Sequence, residues 1–164
     1  MEQEIVLNRT MRRGQPFQKT LDALKTIPLW KLVRENHWDV SSAALASYDY
    51  TSCRAIALSD GMSVGLSHIY PIHPPAYYLQ PMLDAFLQGN ALAKPHAILI
   101  AGDLPHELES CCSLYEVPIV GTYFVEPTYD GRDRRDIIVL PEKQEVRIYM
   151  ANAVIVRSFF GERA

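Results

Sequence analysis

Residues 47–71 read SYDYTSCRAIALSDGMSVGLSHIYP, and the fold turns on how this stretch is paired. Two strand-like runs flank the dipeptide of Asp60 and Gly61. Asp-Gly between alternating segments signals a two-residue hairpin, because a type I′ turn needs positive φ at both central positions. Such a turn makes paired residue numbers add to 121, setting Ser59 against Met62 and Cys53 directly against His68. Directly opposed residues hold their Cβ atoms roughly 4.5–5.5 Å apart on one face. A thiol and an imidazole that close make a nucleophile, since the imidazole takes the proton and the ion pair stabilises the thiolate. The same alternation sets Ala55, Ala57, Val64 and Leu66 on one face and Ile56, Leu58 and Gly65 on the other. Both faces are apolar or small, which predicts a sheet buried between layers.

Upstream, residues 1–15 hold Arg9, Arg12, Arg13 and Gly14 with little to pack, and read as an extended arm. Phe17, Leu21 and Leu24 then fall at helical spacing, with Pro16 in the first turn and Pro28 as the stop. Leu29, Trp30, Leu32 and Val33 predict a second short helix ending near Asn36. Residues 1–41 are thus expected to be a helical extension in front of a core at 42–160, which opens with a short strand at 42–48.

Downstream, Leu79, Met82, Leu83 and Phe86 mark a helix ended by Gly89. A continuous apolar strand at 97–101, a helix at 107–115 and a strand at 119–125 follow. Asp130 and Gly131 make a second turn, and strands are expected at 137–140, 146–150 and 153–159. No repeat or linker interrupts the order. The chain is therefore expected to be one α/β domain: a layered α+β sandwich with a mostly antiparallel sheet and flanking helices.

Composition bounds the function. Of 164 residues, 48% are apolar and 21% charged, as in a globular protein, and the formal charge of −3 gives no basic footprint for nucleic acid. No apolar run approaches the ~18 residues needed to span a bilayer, and the N-terminus lacks the apolar centre of a signal peptide. Three cysteines (Cys53, Cys111 and Cys112) are too few for a disulfide framework and fit a reducing compartment. Export by a dedicated secretion machine is equally compatible with that pattern.

Taken singly, Cys53 fits a small buried apolar residue and His68 a satisfied core residue; their pairing raises the functional alternative. Cys111 and Cys112 are adjacent, without the C-x-x-C spacing of a metal site, and fit a helix. His73, beside Pro74 and Pro75, is either exposed or lines a substrate entrance. Tyr70, Tyr77 and Tyr78 either pack in the core or read a partner's surface. Residues 130–136, DGRDRRD, fit a solvated turn, with Arg132, Arg134 and Arg135 as the alternative contacts for an acidic protein.

The central stretch resembles the core of CheD, the chemoreceptor glutamine deamidase, whose signature runs roughly T-x-G-L-G-S-C, strand, turn, strand, then A-H-x-x-L-P. Ser52 and Cys53 stand at the S-C, and Ser67, His68, Ile69, Tyr70 and Pro71 at the part from histidine to proline. Residues 97–102 followed by Asp103 are similar to the family's K-I-x-G-G-A turn, and residues 126–149 to its E-D-x-G-G-x-x-x-R-x-V segment. The resemblance spans about residues 42–150, and is sharp only around the cysteine and histidine. Cytotoxic necrotizing factors and a deamidating lethal factor share this core, with a cysteine-to-histidine gap close to the fifteen residues seen here. Departures lie at Ser47, where the family has threonine, at Asp49, Tyr50 and Thr51 before the nucleophile, and at Asp103 for the second glycine. With some forty residues ahead of the core, these set the chain nearer the bacterial toxin and effector branch.

The resemblance implies a hydrolase that converts a protein's glutamine side chain to glutamate without metal or organic cofactor. Cys53 would be the nucleophile, His68 its base, and Ser47 the group that orients the imidazole. Thr51 and Ser52 would shape the oxyanion site, with Tyr70 and His73 nearest the substrate. The partner would be a protein bearing a reactive glutamine, met in the cytoplasm or, after signal-peptide-independent secretion, in a host cell. Transglutamination through the same thioester, chemotaxis adaptation by a CheD-like enzyme, and a non-catalytic binding protein of the same fold are the alternatives.

Overall fold

The computed structural model describes residues 15–102, 104–126, 128 and 133–160. The arm expected at 1–15 (all but its last residue), Asp103, the turn at Asp130 and Gly131, and Arg132 lie outside the described residues. In chain order the elements are α1 (Gln18–Lys25), β1 (Trp30–Leu32), β2 (Trp38–Ser41), β3 (Ala44–Tyr50), β4 (Ala55–Ser59), β5 (Val64–Ser67) and α2 (Ala76–Gly89). They continue with β6 (His96–Ala101), α3 (Pro105–Leu114), β7 (Ile119–Phe124), β8 (Arg135–Leu140), β9 (Glu145–Tyr149) and β10 (Val154–Ser158).

The ten described strands form two five-stranded sheets, ordered β1-β3-β8-β9-β10 and β2-β5-β4-β6-β7. Each is antiparallel except at one edge, where β1 runs parallel to β3 and β7 parallel to β6. The sheets are therefore mixed. Side-chain alternation along β4 distributes the core as the sequence predicts. Ala55 and Ala57 face inward with Val64, Leu66, Ile137, Val139 and Ile148, filling the space between the sheets. Ile56 and Leu58 face outward against Leu79, Met82 and Phe86 of α2 and Leu108 and Cys112 of α3. Burying each such large side chain contributes about 1.5–3 kcal/mol. α1 covers the outer face of the first sheet through Leu24, which packs with Ala44, Ala46, Ile138 and Leu140. The layers run helix, sheet, sheet, helices. Gly65 lets α2 lie close, because a Cβ there would stand 3.2 Å from Phe86 and 3.4 Å from Met82.

Three expectations are corrected. The first is the turn. Only Gly61 of the Asp-Gly pair has positive φ, 94°, so the type I′ geometry does not form. The carboxylate of Asp60 instead accepts the N–H groups of Met62 and Ser63 at 2.9 and 2.8 Å, closing a four-residue loop at 60–63. Ser59 consequently pairs with Val64, and paired residue numbers add to 123. The second is the helix expected at 29–36, which is the short strand β1, its Leu29 and Leu32 exposed. The third is the boundary at 41. β1 pairs with β3 and β2 with β5, so residues 30–41 supply an edge strand to each sheet and belong to the core.

Candidate active site

Moving the register by two residues separates Cys53 from His68 by one step along the pair but keeps them on the same face, because strand side chains alternate with period two. Arg54 bridges Ile69, exchanging backbone hydrogen bonds at 2.9 and 2.8 Å. Cys53 is therefore opposite Tyr70, and His68 is its diagonal neighbour. Between Ala57 and Arg54 the strands part. The His68 N–H donates to the carbonyl of His37 and its carbonyl accepts the Asn36 N–H, both at 3.0 Å. The Ser67 hydroxyl fills the gap, accepting the Ile56 N–H at 2.9 Å and donating to the Ile56 carbonyl at 3.1 Å.

The His68 imidazole reaches across to the other sheet. Ser47 Oγ lies 2.6 Å from the Val33 carbonyl and 2.9 Å from His68 Nδ1. A hydroxyl has one proton, and a carbonyl can only accept, so Ser47 donates to Val33 and accepts from His68. Nδ1 is then the protonated nitrogen and Nε2 holds the free lone pair. Nε2 is buried with no hydrogen-bond partner among the described residues. Tyr50 fixes the ring plane by stacking on it, with centroids 3.8 Å apart and planes 13° from parallel, while its hydroxyl donates to the Ser67 carbonyl. Cys53 packs in the same inter-sheet cluster as Tyr50.

Electrostatics correct the expectation of a preformed ion pair. Burial, with the carboxylates of Glu35 and Asp49 adding to it, pushes the Cys53 thiol up to about 12. Burial, reinforced by the nearby Arg135 cation, pushes His68 down to about 3. At rest the thiol and the imidazole are both neutral.

Arg135 is the residue of this candidate site that sequence reasoning misplaced. It was expected in a solvated turn, but β8 carries it fully buried into the inter-sheet space. Its Nη2 donates to the carbonyls of Thr51 and Cys53 at 3.0 and 3.3 Å, while Nε and Nη1 have no partner among the described residues. Alternation sends the next residue, the buried Asp136, to the outer face. There its carboxylate accepts the N–H groups of Phe17 and Asp49 and the hydroxyl of Thr20, joining the start of α1 to the bulge in β3. Asp49 takes φ 63° in that bulge and pairs with Arg134 at 3.1 Å. β3 resumes pairing after the bulge at Tyr50, opposite Arg135, and ends there, just before Cys53. No local pattern signals the burial of Arg135, because the carbonyls that it meets lie more than 80 residues away in the chain.

Of the remaining expected site residues, Thr51 is half-buried and offers its carbonyl to Arg135, while Ser52 is exposed. Tyr70 is half-buried, and its hydroxyl donates to Glu35 Oε2 at 2.9 Å. His73 is drawn away. Its Nδ1 shares a hydrogen bond with Tyr78 at 2.8 Å, and it lines a cleft of about 460 Å³ between residues 71–75 and α3. Tyr78 is buried and Tyr77 exposed. The fully buried Arg54 shapes that loop, donating to the His73 carbonyl at 2.9 Å and pairing with Glu107. Cys111 and Cys112 are buried in α3, as the helical reading requires.

No protein-family model matches this chain, and no curated protein matches it. Among the described residues no helix is long and apolar enough to cross a membrane.

Proposed function

We propose that this chain is a cysteine-dependent protein glutamine deamidase of the CheD-like kind. One observation carries the reading: Ser47 holds His68 in the Nδ1–H tautomer, leaving a buried Nε2, without a partner among the described residues, on the same sheet face as Cys53. A buried base without a partner is costly in a structural role and useful in proton transfer.

Because both groups rest neutral, the Cys53 proton moves to His68 Nε2 as the sulfur attacks the side-chain amide carbon of a glutamine. The carbonyl electrons move onto oxygen, giving a tetrahedral oxyanion. The Arg54 N–H is committed to Ile69, so the donors that stabilise it come from the turn at or before Cys53. Collapse breaks the C–N bond, and the imidazolium gives its proton to the departing nitrogen, releasing ammonia. Nε2 then takes a proton from water, hydroxide attacks the thioester, and glutamate leaves with Cys53 restored as a thiol. An amine in place of that water would give the transglutaminated product.

A second reading, a non-catalytic binding protein, is favoured by the Cys53 thiol pushed up to about 12. The deciding experiment treats bacterial and eukaryotic lysates with the wild type, Cys53→Ala and His68→Ala, and maps glutamine-to-glutamate conversion by mass spectrometry. Conversion that needs both residues supports the deamidase. Sites confined to eukaryotic proteins support a toxin or effector, and sites in chemoreceptors support chemotaxis adaptation. Absence of wild-type conversion above the Cys53→Ala background sinks the enzyme reading.

A further inference from the structure

The charges that act on Cys53 are arranged asymmetrically. Arg135 and Arg54, the cations that act on Cys53, are both fully buried. Glu35 is exposed and stands on the solvent side of the site. Its position follows from three contacts. The two residues after it, Asn36 and His37, hold the backbone of His68 from both sides. Its carboxylate takes the hydroxyl of Tyr70 at 2.9 Å. Tyr70 is in turn the residue opposite Cys53. Glu35 is thus tied by its neighbours to the backbone of His68 and by its carboxylate to the residue opposite Cys53. Asp49, the second carboxylate felt by Cys53, is already paired with Arg134, whereas Glu35 has no cationic partner among the described residues.

We propose that Glu35, braced by Tyr70, makes the entrance to Cys53 selective for cationic groups, so that the substrate is a glutamine flanked in its protein by lysine or arginine. The substrate assignment rests on the deamidase reading, while the selectivity of the entrance does not. An incoming cation sets its charge against Glu35 at the solvent-exposed side, where the attraction acts mainly on approach and is screened by salt. It also offsets the carboxylate that helps keep the Cys53 thiol protonated.

The test uses the full chain and two thiol reagents, the cationic aminoethyl and the anionic sulfonatoethyl methanethiosulfonates, at mildly alkaline pH. Modification of Cys53 is followed by mass spectrometry, and each rate is normalised to that of a free-thiol peptide. The cation-to-anion ratio is expected to be on the order of tenfold in the wild type and to shrink as salt is raised. Glu35→Gln keeps an acceptor for the Tyr70 hydroxyl and should bring the ratio close to unity. Using the ratio cancels any general rise in thiol reactivity caused by losing the carboxylate. A ratio near or below unity in the wild type, a ratio unchanged in Glu35→Gln, or no modification of Cys53 by either reagent overturns the proposal. A selective entrance without glutamine conversion in any lysate would retire the deamidase and its substrate class alone. Conversion with a flat ratio would retire the entrance alone.

Discussion

Ser47 accepts the Nδ1 proton of His68 at 2.9 Å while giving its own proton to Val33, so one hydroxyl determines which imidazole nitrogen is basic. Ser47→Ala removes that acceptor and leaves the Val33 carbonyl without this donor in a fully buried position. The tautomer is then free to reverse, and a protonated Nε2 cannot serve as a base. Glutamine conversion should fall by about 10²–10⁴, the range general-base catalysis supplies. Stability should fall by about 1–3 kcal/mol, the usual cost of an orphaned buried group. Conversion rates and urea unfolding of the variant check both effects, and full activity would contradict the orienting role.

The resting thiol should be quiet. With Cys53 pushed up to about 12 by burial and two carboxylates, its thiolate is scarce at neutral pH. Iodoacetamide should alkylate it more slowly than free cysteine around pH 7, with the rate still climbing beyond about pH 9, where an unperturbed thiol levels off. A plateau already reached near pH 6 would instead reveal a preformed ion pair.

Stability should depend on pH through the same two groups. His68 is held near 3 against 6.5 for a free histidine, so between those values the unfolded chain binds the extra proton. The contribution is fully present above about pH 6.5 and is lost as pH falls toward 3, on the order of 5 kcal/mol in all. Cys53, raised from 9.0 to about 12, keeps its proton only in the fold, so its contribution is complete below pH 9 and fades as pH rises toward 12. The plateau lies between. Denaturant unfolding across pH, compared with His68→Gln and Cys53→Ala, should flatten the acid and the alkaline arm respectively.

Gly102 lies against the turn that carries Cys53. A Cβ there would stand 3.2 Å from the Thr51 carbonyl and 3.3 Å from that of Val125, and backbone cannot swing aside as a side-chain tip can. Gly102→Ala should therefore displace the turn. A loss of about 1–3 kcal/mol is expected, as for other overpacked sites, together with a fall in glutamine conversion. A thermal melt and the conversion assay on one sample measure the two effects. Unchanged values in both would mean that the turn has room.

Much of the fold was legible because apolar alternation is a local signal. Ile56 and Leu58 against Ala55 and Ala57 set the two faces of β4 before any partner was known. The turn was not legible, since Asp60 can either occupy a type I′ position or cap a wider loop with its carboxylate, and both use the same Asp-Gly pair. Cys53 and His68 stay on one face despite that error because the register moved by two residues and not one. β1 and β2 were missed because they are short edge strands whose backbone partners, β3 and β5, come later in the chain. Arg135 and Asp136 looked solvated for a related reason. Their burial depends on the carbonyls of Thr51 and Cys53 and on the N-terminus of α1, all distant in sequence.

Arg135 provides the last test. It is a positioning residue that holds the turn through two carbonyls and is also a cation that lowers the thiol's affinity for its proton. Arg135→Gln removes the charge, and Arg135→Lys keeps it without the planar fork. In the Gln variant the alkylation profile of Cys53 should shift to higher pH, slowing reaction at a fixed pH by about tenfold, as loss of a nearby opposite charge does. The Lys variant should recover much of that shift but little of the glutamine conversion, because its shorter side chain does not bring the ammonium to the place of Nη2 between the two carbonyls. Thermal melting controls for global destabilisation: burying a charged arginine is itself costly, so loss of stability is not expected to account for the effect of the Gln variant. An alkylation profile identical in wild type and the Gln variant would reduce Arg135 to a structural brace.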